Sequence, residues 1–108
     1  MTLEIHVEHS KDSAIAWVRV LGEVNIQTSP KLKTFMKPLF DGSKKEIHVD
    51  LSAVPFMDSS GIATLVEGLQ WARKEHGRFV LHQLQDTVRD IFALAKLDTV
   101  FDIEDVDL

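Results

Sequence analysis

One twelve-residue string constrains this chain more than any other: Asp50-Leu51-Ser52-Ala53-Val54-Pro55-Phe56-Met57-Asp58-Ser59-Ser60-Gly61. A short apolar strand, Glu46 to Leu51, leads into it, and a long amphipathic helix, Ser59 to about His76, leads out. Pro55 biases Val54 towards an extended backbone, which suits the end of a strand. Asp58 is a favourable N-cap, because its carboxylate accepts the free N–H groups of the first helical turn. Ser59 then occupies the first helical position, with Ser60 and Gly61 behind it. The string demands a strand, a sharp turn and a helix, and it presents a small hydroxyl at the helix N-terminus beside a carboxylate. Taken alone, Asp58-Ser59-Ser60-Gly61 reads as a helix cap. The sharper reading, that Ser59 is a site of covalent modification, needs support from the rest of the chain.

The N-terminal part alternates apolar and polar residues, the period of half-buried strands, over Leu3 to His9 and again over Ala14 to Leu21. The turn cluster Ser10-Lys11-Asp12-Ser13 between them predicts an antiparallel hairpin. Gly22 to Gln27 holds at most a short strand. Thr28-Ser29-Pro30 signals a helix start. Leu32, Phe35, Met36, Leu39 and Phe40 follow on one helical face, and Pro38 predicts a kink or an early end. In the helix after Ser59 the apolar periodicity places Ile62, Leu65, Val66, Leu69, Ala72 and the stem of Arg73 inward, with Gly77 as the C′ residue. Arg78 to His82 is another strand. Asp86 is expected to cap a helix with Val88, Ile91, Phe92 and Ala95 inward, and Val100 to Ile103 forms a last short strand. Strand–helix alternation in the second half implies parallel strands joined by crossovers. The expected architecture is α/β: a small mixed sheet, an N-terminal antiparallel hairpin and then parallel strands, flanked by helices. The length of 108 residues fits a single domain, residues 1–108.

Composition narrows the function classes. There is no cysteine, which excludes disulfides, thiolate chemistry and Cys-ligated metals. No signal peptide pattern is present, and no apolar run approaches the roughly 20 residues that span a bilayer. A cytoplasmic protein is expected. The net charge of −5, with scattered Lys and Arg and an acidic segment from Asp102 to Asp107, argues against direct nucleic-acid binding.

Catalytic readings are weak. His6 and His9 fall on opposite faces of a regular strand, His48 and His82 are single strand residues, and His76 sits at a helix end. No carboxylate cluster accompanies them, so no metal site and no cofactor are expected. A nucleophilic Ser59 needs a base and an oxyanion hole, and the Gly-x-Ser-x-Gly elbow is missing. At 100° per residue, Ser60, Thr64, Glu67 and Trp71 share an arc opposite the expected inward stripe. An exposed Trp71 there suggests a partner contact, since Trp is enriched at binding hot spots. The other reading folds Trp71 down over a neighbouring element.

The central string through Ile62 resembles the signature of bacterial anti-sigma factor antagonists, which are stand-alone STAS domains. Gly22-Glu23-Val24 resembles the family's Gly-Glu-Leu-Asp-like turn. Val88-x-x-Ile91-Phe92-x-Leu94-Ala95-x-Leu97-Asp98 resembles its last helix and the turn after it. The resemblance covers nearly the whole chain and implies partner switching. The unmodified antagonist binds an anti-sigma factor, a serine kinase with a histidine-kinase-like ATP site, and frees the sigma factor. The kinase phosphorylates the Ser after the motif's Asp, here Ser59, and a serine phosphatase reverses it. Asp58, Ser60, Gly61, Thr64, Glu67, Trp71 and Asn25 are the expected partner-binding residues, with Gly61 and Ser60 leaving room for the kinase to reach the hydroxyl. Two positions depart from the pattern: Asn25 stands where Asp is usual, and Lys96 where Gly is common. Other members of this architecture serve lipid-transport complexes or sensory complexes with non-sigma targets such as cyclases, which leaves a phospho-switched regulator of another partner as the alternative. An enzyme is not expected.

Overall fold

The computed structural model describes residues 2–105; Val106 and Asp107 of the acidic segment lie outside the described residues. The N-terminal alternation forms the hairpin β1 (Glu4–His9) and β2 (Ile15–Leu21), paired antiparallel. Helix α1 (Ser29–Met36) follows, then a 3-10 turn (Lys37–Leu39), β3 (Glu46–Ala53), α2 (Ser59–Lys74), β4 (Arg78–His82), α3 (Asp86–Leu94) and β5 (Asp102–Glu104). Pro38 does what a proline inside a helical stretch must: α1 stops at Met36 and tightens into the 3-10 turn.

The strand order in the sheet is the chain order, β1-β2-β3-β4-β5, and every pair after the hairpin is parallel. Three crossovers advancing in one direction with one handedness lay their helices on one face of the sheet. That face carries Ala16, Val18 and Val20 of β2, Ile47, Val49 and Leu51 of β3, and Phe79 and Leu81 of β4. These strand residues form one core cluster with Leu32 and Met36 of α1, Leu65 and Leu69 of α2, and Val88 and Phe92 of α3. Alternation sends Trp17, Arg19, His48, Asp50, Arg78 and His82 to the opposite face.

Several helical expectations are corrected. The inward face of α2 is Gly61, Thr64, Leu65, Gly68, Leu69 and Ala72, while Arg73 is exposed and Ile62 and Val66 are only half-buried. The helix is turned so that its glycines meet the core. A Cβ at Gly68 would come within 2.8 Å of Phe79 Cζ, so the small residue sets how closely α2 lies on β4. On α1, Phe35 is 40% exposed while Leu32 and Met36 are buried, as is Leu39 of the 3-10 turn. The N-cap of α3 is Gln85 rather than Asp86, and Ala95 is exposed.

The C′ residue of α2 is His76, not Gly77. His76 takes φ +59°, its N–H donates to Arg73 O, and Gly77 N–H donates to Ala72 O at 2.8 Å, which is a Schellman motif. Helix α3 ends the same way: Lys96 takes φ +57°, Lys96 N–H donates to Ala93 O and Leu97 N–H to Phe92 O. Lys96, which stands where a Gly is common in the resembling family, therefore occupies a left-handed cap position.

Candidate functional site

The site grows from the junction of β3 and α2. Beyond Ala53 the chain turns at Val54-Pro55 and comes back beside the segment after β2. Val24 and Met57 form an isolated parallel bridge, with Val24 N–H donating to Phe56 O and Asp58 N–H donating to Val24 O, both at 3.1 Å. The two loops become one platform. Gly61 lies beneath it, because a Cβ there would stand 2.5 Å from Met57 Cγ and 2.8 Å from Val24 Cγ1. Gly61 is buried. Its role is to let α2 approach the platform, and it opens no access to Ser59, contrary to expectation.

Asp58 caps α2 as expected. Its Oδ1 accepts from Ser60 N–H at 2.9 Å and from Gly61 N–H at 3.2 Å, and its Oδ2 accepts from Ile26 N–H at 3.1 Å. Ser59 is the first residue of α2 and is exposed. Among the described residues nothing hydrogen-bonds to its hydroxyl. Asn25 Oδ1 accepts from Gln27 N–H at 2.9 Å and Thr28 N–H at 3.1 Å, and Thr28 Oγ1 accepts from Asn25 N–H and donates to Glu23 O. These are acceptor roles that an Asp would fill equally, so Asn25 preserves the turn that carries Ile26.

Ser60, Thr64, Glu67 and Trp71 do not form an exposed arc. That side of α2 faces α1 and the 3-10 turn. Thr64 is 5% exposed, and its hydroxyl donates to Ser60 O. Glu67 pairs with Lys33 of α1 at 3.0 Å. Trp71 is half-buried and meets Phe40 edge to face, centroids 5.3 Å apart, beside a shallow cavity of about 420 Å³ lined by Lys37, Phe40, Trp71, Lys74 and Glu75. At about 1.5 Å per residue Trp71 lies some 18 Å along the helix from Ser59. The exposed side of α2 instead runs through Ser59, Ala63 and Gln70, with half-buried Val66 between them.

Two apolar residues escaped the sequence reading. Ile26 is 73% exposed and Phe56 43% exposed. Ile26 sits on the loop held by Asp58, and Phe56 on the loop of the platform that leads to Asp58. The reading of His48 and His82 as single residues is also corrected: they are hydrogen-bonded to one another at 2.7 Å, with Glu46 and Glu104 beside them. Among the described residues no group of three His, Cys, Asp or Glu side chains is arranged to hold a metal.

A family model described as Mlab, STAS domain, matches residues 7–104. The chain belongs to the STAS family. An anti-sigma-B factor antagonist of Listeria monocytogenes is 25% identical to this STAS domain over 107 residues, 99% of this chain and 93% of the relative. An anti-sigma factor antagonist from Mycobacterium paratuberculosis superposes with TM-score 0.85 at 27% identity, covering 97% of this chain and 87% of that one. The Bacillus cell fate determinant SpoIIAA in its phosphorylated form shares the fold, with TM-score 0.77 at 19% identity over 96% and 92% of the two chains. The mixed sheet and helix layer read from the sequence are those of a STAS domain. No helix among the described residues is long and apolar enough to cross a membrane.

Proposed function

We propose that this STAS domain is an anti-sigma factor antagonist that works by partner switching. The unphosphorylated form binds an anti-sigma factor that is also a serine kinase and so releases the sigma factor. Phosphorylation of Ser59 ends that binding, and a serine phosphatase restores it. The chain acts in the cytoplasm, without a cofactor, without catalysis of its own and without touching nucleic acid. The single observation that carries the reading is the exposed Ser59 hydroxyl at the start of α2, beside a carboxylate that caps the helix. The names of the relatives support it.

The physical chemistry is consistent with a switch at an interface rather than in the fold. A phosphate adds about −1.5 to −2 charges. At the N-terminus of α2 it meets the positive end of the helix dipole, worth about 0.3–1 kcal/mol and up to about 2 when partly buried. Phosphorylation therefore leaves the domain folded. Against a partner surface fitted to a neutral hydroxyl, the dianion beside Asp58 must be desolvated and meets repulsion, and about 4 kcal/mol weakens binding roughly a thousandfold. The contact surface on this side consists of Ser59, Ala63, Val66 and Gln70 on α2, framed by the apolar side chains of Ile26 and Phe56.

The test is calorimetric titration of the purified kinase with wild type, Ser59→Ala and Ser59→Asp. Ser59→Ala should bind like wild type and resist release by ATP, and Ser59→Asp should bind far more weakly. Equal affinities for wild type and Ser59→Asp would remove the mechanism. One observation favours a second reading, a phospho-switched subunit with a non-sigma partner such as a lipid-transport complex: the matching family carries the Mlab description. Recovery of a transporter subunit rather than an ATP-binding kinase from a pull-down would decide for it.

A further inference from the structure

On the face of the sheet turned away from the helices, four strands bring together a group that the switch does not use. His48 Nδ1 of β3 and His82 Nε2 of β4 stand 2.7 Å apart. His48 Nε2 lies 2.8 Å from Glu46 Oε1. His82 Nδ1 is buried without a hydrogen-bond partner, 3.9 Å from Glu104 Oε2 on β5. The Trp17 ring of β2 stacks on His48, centroids 4.2 Å apart and planes within 18°, and leans on His82 at 4.9 Å. The two histidines are 7% and 1% exposed.

Counting hydrogens selects one arrangement. An ionised carboxylate only accepts, so the hydrogen between His48 and Glu46 belongs to His48 Nε2. Neutral His48 then has a bare Nδ1, which accepts from the Nε2–H of His82. Neutral His82 is left with a bare Nδ1, the one ring nitrogen with spare capacity. It is also the atom that has no partner. The gap of 2.7 Å between the rings holds a single hydrogen, so the folded pair has no place for a second added proton.

We propose that Glu46, His48, His82 and Glu104 form a proton-responsive device that takes up one proton and no second, at Nδ1 of His82, and answers by drawing the Glu104 carboxylate of β5 onto β4. In the resting state Glu104 leans on Arg78 Nη2 at 3.5 Å. A protonated Nδ1 offers it a charged donor in a buried setting, where such a bond is stronger than a neutral one. The carboxylates of Asp50, Asp102 and Glu104 favour the charged ring. Arg78 of β4 pairs with Glu104 and Arg19 of β2 lies 3.9 Å from Asp50 on the same face, and β1 places His6 and Glu8 one strand further out, in register with Arg19 and Trp17. Burial first, and then His48, hold His82 below the ordinary histidine pKa. The device is therefore empty at neutral pH and fills on acidification.

The experiment is a long-range proton–nitrogen NMR titration of the ring nitrogens in the full ¹⁵N-labelled chain from pH 8 downwards while it stays folded. Both rings should begin as Nε2–H tautomers. On acidification only His82 Nδ1 should move to the protonated range, and the pair should gain one proton. Glu104→Gln should shift that titration to lower pH. An Nδ1–H tautomer of His48 at pH 8, two imidazolium rings in the folded chain, or a His82 that stays neutral until unfolding would each overturn the proposal. An unmoved titration in Glu104→Gln would overturn the part assigned to β5.

Discussion

Asp58 Oδ2 accepts the backbone N–H of Ile26 at 3.1 Å, across 32 residues of chain, while its Oδ1 caps α2. The residue that starts the helix carrying Ser59 also fixes the neighbouring loop. Losing an N-cap costs about 0.5–2 kcal/mol, and losing one further hydrogen bond to a charged group about 1.5–3. Asp58→Ala should therefore lower stability in urea unfolding by about 2–5 kcal/mol and speed hydrogen exchange at the Ile26 amide. An unchanged Ile26 amide would show that the loop stands without Asp58.

Gly61→Ala tests the close approach beneath the switch. The added methyl group meets Met57 Cγ and Val24 Cγ1 at 2.5 and 2.8 Å. Overpacking of this kind costs about 1–3 kcal/mol, and the displaced platform should carry Ser59 with it. Both a lower urea midpoint and slower phosphorylation of Ser59 by the kinase are expected.

Ile26→Ser and Phe56→Ser should weaken partner binding while changing stability by no more than about 0.5 kcal/mol, as expected of exposed positions away from the core. Trp71→Ala should do the reverse. Its ring packs on Phe40 and α2 turns it away from Ser59, so stability should fall by about 1–2 kcal/mol with partner affinity retained. Calorimetry for binding and urea unfolding for stability separate the two behaviours.

His82 makes stability depend on pH with a definite sign. Its folded pKa lies below the ordinary value, so as pH falls the unfolded chain takes the proton first. The stability it contributes is complete above about pH 6.5 and declines from there as pH falls to the lower folded pKa, after which it is lost. His82→Gln should flatten the pH dependence of unfolding free energy just below pH 6.5, whatever it does to the absolute value.

Lys96 holds φ +57°, a conformation that costs an L-residue roughly 1–2 kcal/mol, partly offset for Gly by its greater loss of chain entropy on folding. Lys96→Gly should raise stability by about 0.5–1 kcal/mol, read as an increase in melting temperature.

Strand positions were legible because alternation is a local signal: Ala16, Val18 and Val20 mark one face of β2 without help from any distant residue. The cap was legible because Asp58 and Ser59 are adjacent. The phase of α2 was not. Gly61 and Gly68 carry no apolar signal, yet both face the core, whereas Ile62, Val66 and the stem of Arg73 pulled the expected stripe around the helix. Thr64 was consequently placed on the outer arc, and Trp71 was left between a partner contact and packing on a neighbour; α1 and the segment after it cover that side. Ile26 drew no attention because the loop that exposes it is held by the hydrogen bond its N–H donates to Asp58, far along the chain. His48 and His82 are 34 residues apart, and only the parallel register of β3 with β4 brings them together.

The agreement between strand order and chain order has a kinetic side. Each pairing joins consecutive strands, so no strand has to be threaded between two that have already met. The hairpin closes first over a short turn, but each crossover must bring together strands whose paired residues lie 22 to 32 positions apart, so the parallel pairings are the slow steps. A nascent polypeptide leaving the ribosome meets its pairing partners in the order in which they are synthesised.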